Sequence, residues 1–141
     1  MSDKVAILYP SIAMALLTIA VVVSLGLRRY AAVNRREVHP KFYRTFFDGT
    51  ETETLRQHGR HAQNQFEIPP LFHLAVWGTF IAGEVTPVAV GAAWLFVVLR
   101  VAHSFVHLTY NKVVHRFFVF GFSLFTLLFL WLRLLGTLAH A

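Results

Sequence analysis

From Val5 to Leu27 the chain carries no charged side chain, and that one stretch excludes most soluble folds. An α-helix rises 1.5 Å per residue, so about 20 apolar residues cross a hydrocarbon core of roughly 30 Å. Three more apolar stretches follow, Phe66 to Gly83, Pro87 to Tyr110 and Phe117 to Leu138. Lipid offers no partners to backbone N–H and C=O groups, so each stretch must satisfy its own as a helix. The composition agrees: 56% of the 141 residues are hydrophobic and the mean hydropathy is +0.55, too apolar for an ordinary small soluble domain. The fold class expected is an all-α membrane protein, a four-transmembrane-helix bundle forming one domain over residues 1–141.

The expected helices are about 5–27, 51–83, 87–110 and 117–138, with a cytoplasmic loop over 28–50. Lys4 before an apolar run suggests a signal peptide, but no small-residue cleavage site precedes Arg28 and Arg29, so the run is expected to stay as the first helix. Pro10 and Pro87 fall near helix starts, where proline is tolerated. Asp48-Gly49 is a turn signal, and Thr50 with Glu53 has the spacing of a capping box. A helix from 51 to 83 would be about 50 Å long, so its first turns must project from the membrane. Pro69-Pro70 should kink it and free backbone carbonyls to accept other bonds.

Charge sets the orientation. Arg28, Arg29, Arg35, Arg36, Lys41 and Arg44 lie in the first connection and Lys112 in the third, whereas the second has only Glu84. Cytoplasmic connections are enriched in Lys and Arg, so both termini are expected on the opposite side. The net charge of +6 therefore belongs to membrane boundaries, and no nucleic acid partner is expected. The absence of cysteine excludes disulfides and thiolate metal sites.

Two polar rows interrupt this apolar pattern. Arg56, Arg60, Asn64 (or Gln63) and Glu67 recur at helical spacing on one face of the second helix. Arg100, His103, His107 and Asn111 do the same on the third. Ionisable groups at membrane depth are costly and mark function by default. The orientation brings both rows, with Arg28 and Arg116, into the cytoplasmic half. A basic cavity with one buried carboxylate, Glu67, is the expected result. Arg116 at a helix N-terminus would add the positive end of the macrodipole to its guanidinium, a setting that lowers the pKa of a nearby thiol. The bland alternative is a membrane-edge arginine on a lipid phosphate.

Other residues receive structural readings. His103 and His107 are four apart, a spacing compatible with a metal, but no third firm ligand stands out, so no metal is expected. His58 and His61 are placed at the surface near the headgroups. Trp77, Trp94 and Trp131 are expected to pack or to sit at the interface, and Arg133 to snorkel. Gly78, Gly83, Gly91, Ala92 and Ala93 allow close helix approach.

The run RHAQNQFEIP, Arg60 to Pro69, followed by Pro70, resembles the Arg, Asn-x-x-Glu-x-x-Pro signature of the MAPEG family, membrane-associated proteins in eicosanoid and glutathione metabolism. RVAHSFVHLTYNKVVHR, Arg100 to Arg116, resembles the family's second signature. The pattern is closest to an uncharacterised bacterial-type branch, which implies a bacterial inner membrane. The resemblance implies a homotrimer with glutathione held between subunits as cosubstrate or ligand. Arg60, Asn64 and Glu67 would grip its polar ends, with Arg28, Arg100, His103 and His107 as further binding residues and Arg116 stabilising the thiolate. His107 stands where many members have tyrosine, and Phe117 and Phe120 where some carry hydroxyls. Two functions follow: a glutathione transferase or peroxidase acting on lipophilic electrophiles, or a non-catalytic membrane protein or complex subunit that binds a lipid headgroup or other anion in the same cavity.

Overall fold

Helices account for all the regular structure in the computed structural model, which describes residues 2–47 and 49–140. In chain order they are α1 (Ser2–Val5), α2 (Leu8–Asn34), α3 (Phe42–Thr45), α4 (Glu53–Glu67), α5 (Pro69–Ile81), α6 (Pro87–Leu108) and α7 (Val113–Ala139). Among the described residues, α2, α6 and α7 are long and apolar enough to cross a membrane.

Local chemistry explains where the helices differ from expectation. The first does not stop near Leu27 but runs on to Asn34. No Gly or Pro interrupts Arg28 to Val33, and Ala32 gains burial against Val38, Phe42 and Leu55. Arg36, at φ 60°, then turns the chain. The expected capping box at Thr50 gives way to Thr52, whose hydroxyl accepts from the Leu55 N–H at 3.3 Å. Glu51 is held outside the helix by Arg29, at 2.9 Å. In the expected turn, Asp48 lies outside the described residues, and Gly49 has φ 120°, a conformation suited to glycine.

The double proline ends a helix instead of bending one. α4 stops at Glu67, Ile68 caps it, and α5 restarts at Pro69. Pro69 and Pro70 offer no N–H to the preceding turn but fit the first positions of a new helix. Thr86 caps α6 through Ala89 N–H, at 3.2 Å, with Pro87 in the first turn as expected. α7 starts at Val113, before the expected Phe117, because Asn111 adopts φ 46° and closes a tight connection. Asn is among the few non-glycine residues that enter this region readily.

The core joins α2, α5, α6 and α7. Met14, Phe72, Val76, Ala93, Phe96, Val97, Leu127 and Leu130 are buried together, and the rings of Phe72 and Phe96 stack at 4.3 Å. A Cβ on Gly78 would come within 2.6 Å of Leu134 Cδ2, so α5 and α7 touch there because this residue has no side chain. The outward faces remain apolar: Leu16, Ile19, Ile81, Phe105, Phe125 and Leu132 are exposed. Exposure on this scale marks surface made for lipid or for another protein. Trp77, Trp94 and Trp131 lie on that outer surface as well.

Candidate functional site

The helix break sets the site. The last carbonyls of a helix lack intrahelical partners, and α4 ends where α6 passes. Arg100 of α6 donates from Nη2 to the Asn64 carbonyl at 3.2 Å. It is fully buried, and its guanidinium lies 5.8 Å from the Phe120 ring centroid. The negative end of the α4 macrodipole thus faces a buried cation, which offsets part of its desolvation. Its Nε and Nη1 have no partner among the described residues.

Beside this contact, Arg60, Asn64, His103, His107, Arg116 and Phe120 line a cavity of about 270 Å³, closed by Val113 and Phe117. A second cavity of about 270 Å³ shares Arg60, His107 and Arg116 and adds Glu53, Arg56, Gln57 and Asn111. Both polar rows expected from sequence therefore contribute, from α4, α6 and the start of α7. Arg116 donates to Asn111 Oδ1 at 2.9 Å and lies 3.5 Å from His107 Nε2. The left-handed turn at Asn111 is what carries its side chain back to Arg116. Gln57 donates to the His107 carbonyl, tying the first turns of α4 to the last turn of α6.

Three expected site residues line neither cavity: Arg100, buried against the Asn64 carbonyl beside them, and two that lie elsewhere. Arg28 lines a different cavity with Arg35, Glu37, Thr52 and Thr54. Glu67 is exposed and accepts from Gln63 Nε2 at 3.0 Å; it is not the buried carboxylate expected. The end of α4 turns its Arg60–Glu67 row outward, because the adjacent face packs inward. That inward face corrects another expectation: His58 and His61 are buried, at 6% and 0% exposure, not at the surface. His61 stands against His103 and His107, and Gln65 reaches both His61 and Ser104. The signal was present in the spacing. Leu55, His58, Ala62 and Gln65 recur at three- and four-residue intervals, so the histidines occupy positions on a core face.

The apolar spans, exposed apolar faces and inward polar site define an integral membrane protein, all-helical, with a basic cavity among its helices. The chain belongs to the MAPEG family, whose family model matches residues 7–136. No curated protein and no solved structure matches it.

Proposed function

We propose that this MAPEG protein binds glutathione in the paired cavities around Arg60 and Arg116, as a glutathione transferase or peroxidase that takes lipophilic electrophiles from the bilayer. The observation that carries the reading is the convergence of Arg60, Asn64, His103, His107 and Arg116 on one cavity. Glutathione has two carboxylates, and arginine grips carboxylates in bidentate fashion. Each cavity alone, at about 270 Å³, lies just below the range of roughly 300–1,000 Å³ common for small-molecule sites, and the two joined through Arg60, His107 and Arg116 lie within it. Arg116 lies in the first turn of α7, where helix dipole and guanidinium together favour a thiolate.

In this reading α4 and α5 together make the fourth membrane crossing, and three copies assemble in a bacterial inner membrane with termini on the non-cytoplasmic side. Arg28 and Glu67, which do not line the cavity within one protomer, then act across the subunit boundary, where Glu67 meets the amino group of glutathione. A second reading is favoured by the lining itself. Phe117 and Phe120 supply no hydroxyl beside Arg116, which suits retention of an anion, such as a lipid headgroup, better than thiol chemistry.

Calorimetric titration of the protein with glutathione, in detergent and in nanodiscs, separates the two. Saturable binding with a thiolate band in ultraviolet difference absorbance is expected, and Arg116→Ala should reduce the band more than the affinity. Absence of binding in both media overturns the glutathione reading. Binding of phosphatidylglycerol headgroup analogues in its place would establish the second.

A further inference from the structure

His61 of α4 and His103 and His107 of α6 each present a ring nitrogen within 4.8 Å of the other two. Their ring centroids are 5.0 Å apart for His61 and His107, 5.5 Å for His103 and His107, and 5.7 Å for His61 and His103. All three side chains are almost wholly buried, and the Nδ1 atom of each has no hydrogen-bond partner among the described residues. Leaving one buried polar atom unsatisfied costs about 1–3 kcal/mol, so buried groups are nearly always paired. Each ring thus has one orphaned nitrogen, and each offers a ligand atom within reach of one shared ion.

We propose that His61, His103 and His107 form a binding site for one divalent transition metal of the zinc type. Neutral imidazole is the commonest metal side-chain ligand, and three protein ligands with one open position is the usual layout of reactive zinc sites. Bonds of about 2.0–2.1 Å in a tetrahedron place ligand nitrogens roughly 3.4 Å apart. The rings must therefore close by up to about 1.5 Å, a movement that rotation about their own side-chain torsions supplies. Gln65 provides the outer support. Its amide lies 3.2 Å from His61 Nε2, and its Oε1 is buried without a partner. Which end of a Gln amide is oxygen follows from its hydrogen bonds. With Oε1 toward the ring, it accepts the Nε2–H of His61 and leaves the Nδ1 lone pair free for the ion, at the expense of its bond to Ser104 Oγ, whose own hydrogen goes to the Arg100 carbonyl. Metal-bound histidines are commonly fixed in this way.

Charge determines what fills the open position. Arg60, Arg100 and Arg116 surround the cluster, and neutral histidines cancel no charge. A divalent ion among guanidinium groups requires an anionic fourth ligand, such as hydroxide or chloride. His103 and His107 line the same cavity as Arg60 and Arg116, so the open position has a basic chamber in which to hold it. The proposal stands independently of glutathione binding.

The test uses untagged protein in detergent, stripped with a chelator, dialysed and titrated with zinc chloride in the absence of glutathione. One zinc per chain, a raised melting temperature and tetrahedral visible bands on cobalt(II) substitution are the expected results. His61→Gln should weaken zinc binding more than about tenfold, whereas His140→Gln should leave it unchanged. If His61→Gln does not fold, the cobalt spectrum of the unaltered protein decides the matter. Folded protein that takes up no stoichiometric zinc, a hydrated octahedral cobalt spectrum, or zinc affinity unchanged by His61→Gln each overturns the site.

Discussion

Arg100→Met separates what a buried guanidinium costs from what it contributes. In the ligand-free protein, Arg100 makes one charge-assisted bond, to the Asn64 carbonyl. Losing such a bond costs about 1.5–3 kcal/mol. The same substitution removes two buried donors, Nε and Nη1, that have no partner, each unfavourable by about 1–3 kcal/mol. Methionine keeps much of the stem volume and packs well against an aromatic ring such as Phe120. The opposing contributions leave a net effect between about 1 kcal/mol of destabilisation and about 4 kcal/mol of stabilisation, leaning toward stabilisation, as replacements of buried ions by apolar residues often do. Arg100 lines neither cavity, so the balance reverses for an anion that reaches past Asn64 and His103 to its free Nε and Nη1. Truncating a desolvated charge pair costs about 2–5 kcal/mol, a loss of at least roughly thirtyfold in affinity. The assay is thermal unfolding in detergent, followed by fluorescence of Trp77, Trp94 and Trp131, with and without glutathione, beside calorimetry. The ligand-free melting temperature should rise, or fall by no more than about 4 °C, and the rise produced by glutathione should vanish. A fall above about 8 °C without ligand, with glutathione affinity intact, would refute the reasoning, because Arg100 would then have a full set of structural partners in the assembled protein.

Three further outcomes follow from named contacts. Arg29→Met strips the nearly buried Glu51 of its ion pair and removes the guanidinium lying 5.1 Å from the Tyr43 ring. It should cost about 2–4 kcal/mol and speed hydrogen exchange in residues 35–52; protection equal to the parent would show that the pair does not hold this segment. Gly78→Leu drives a side chain into Leu134 and should destabilise by about 1–3 kcal/mol. Adding Leu134→Ala should recover part of that loss in the melting temperature, and no recovery would place the strain elsewhere. A reporter fused after Ala141 should be active only on the non-cytoplasmic side, and cytoplasmic activity would invert the assigned orientation.

The apolar periodicity of α2, α6 and α7 made those helices legible, because length and hydropathy alone define them. Their ends were less so. The tail of α2 beyond Leu27 is stabilised by Ala32 packing on Leu55, a contact between residues far apart in sequence. The start of α4 depended on whether Glu51 joined the helix or paired with Arg29. The cavity residues Arg60, Asn64, His103, His107 and Arg116 were legible from spacing, since i, i+3 and i+4 positions share a face. The inward histidines were not, because polarity assigned His58 and His61 to the surface whereas their periodicity belonged to the core. Glu67 faces outward within one protomer for the complementary reason. Its row is polar and helical, but periodicity alone does not say which of two adjacent polar faces packs inward.

The break at Ile68 connects these observations. Had α4 and α5 formed one straight helix, the Asn64 carbonyl would face an intrahelical N–H and Arg100 would lack its one bond. Ending α4 there creates a terminus with free carbonyls beside α6, and the macrodipole makes that end attractive to a cation. Arg100 can then be buried, and its burial draws the α6 row of His103 and His107 against α4. The inner face of α4 meets that row with His61 and Gln65, and its outer face is left to present Arg60 and Glu67. α4 thus carries two polar surfaces, and His103 and His107 border both. The inner surface is imidazole-rich and suited to a metal, and the outer one is suited to a charged ligand. Because the two are joined through His107 and Arg116, which lie 3.5 Å apart, occupancy of one should alter affinity at the other by the same factor in both directions.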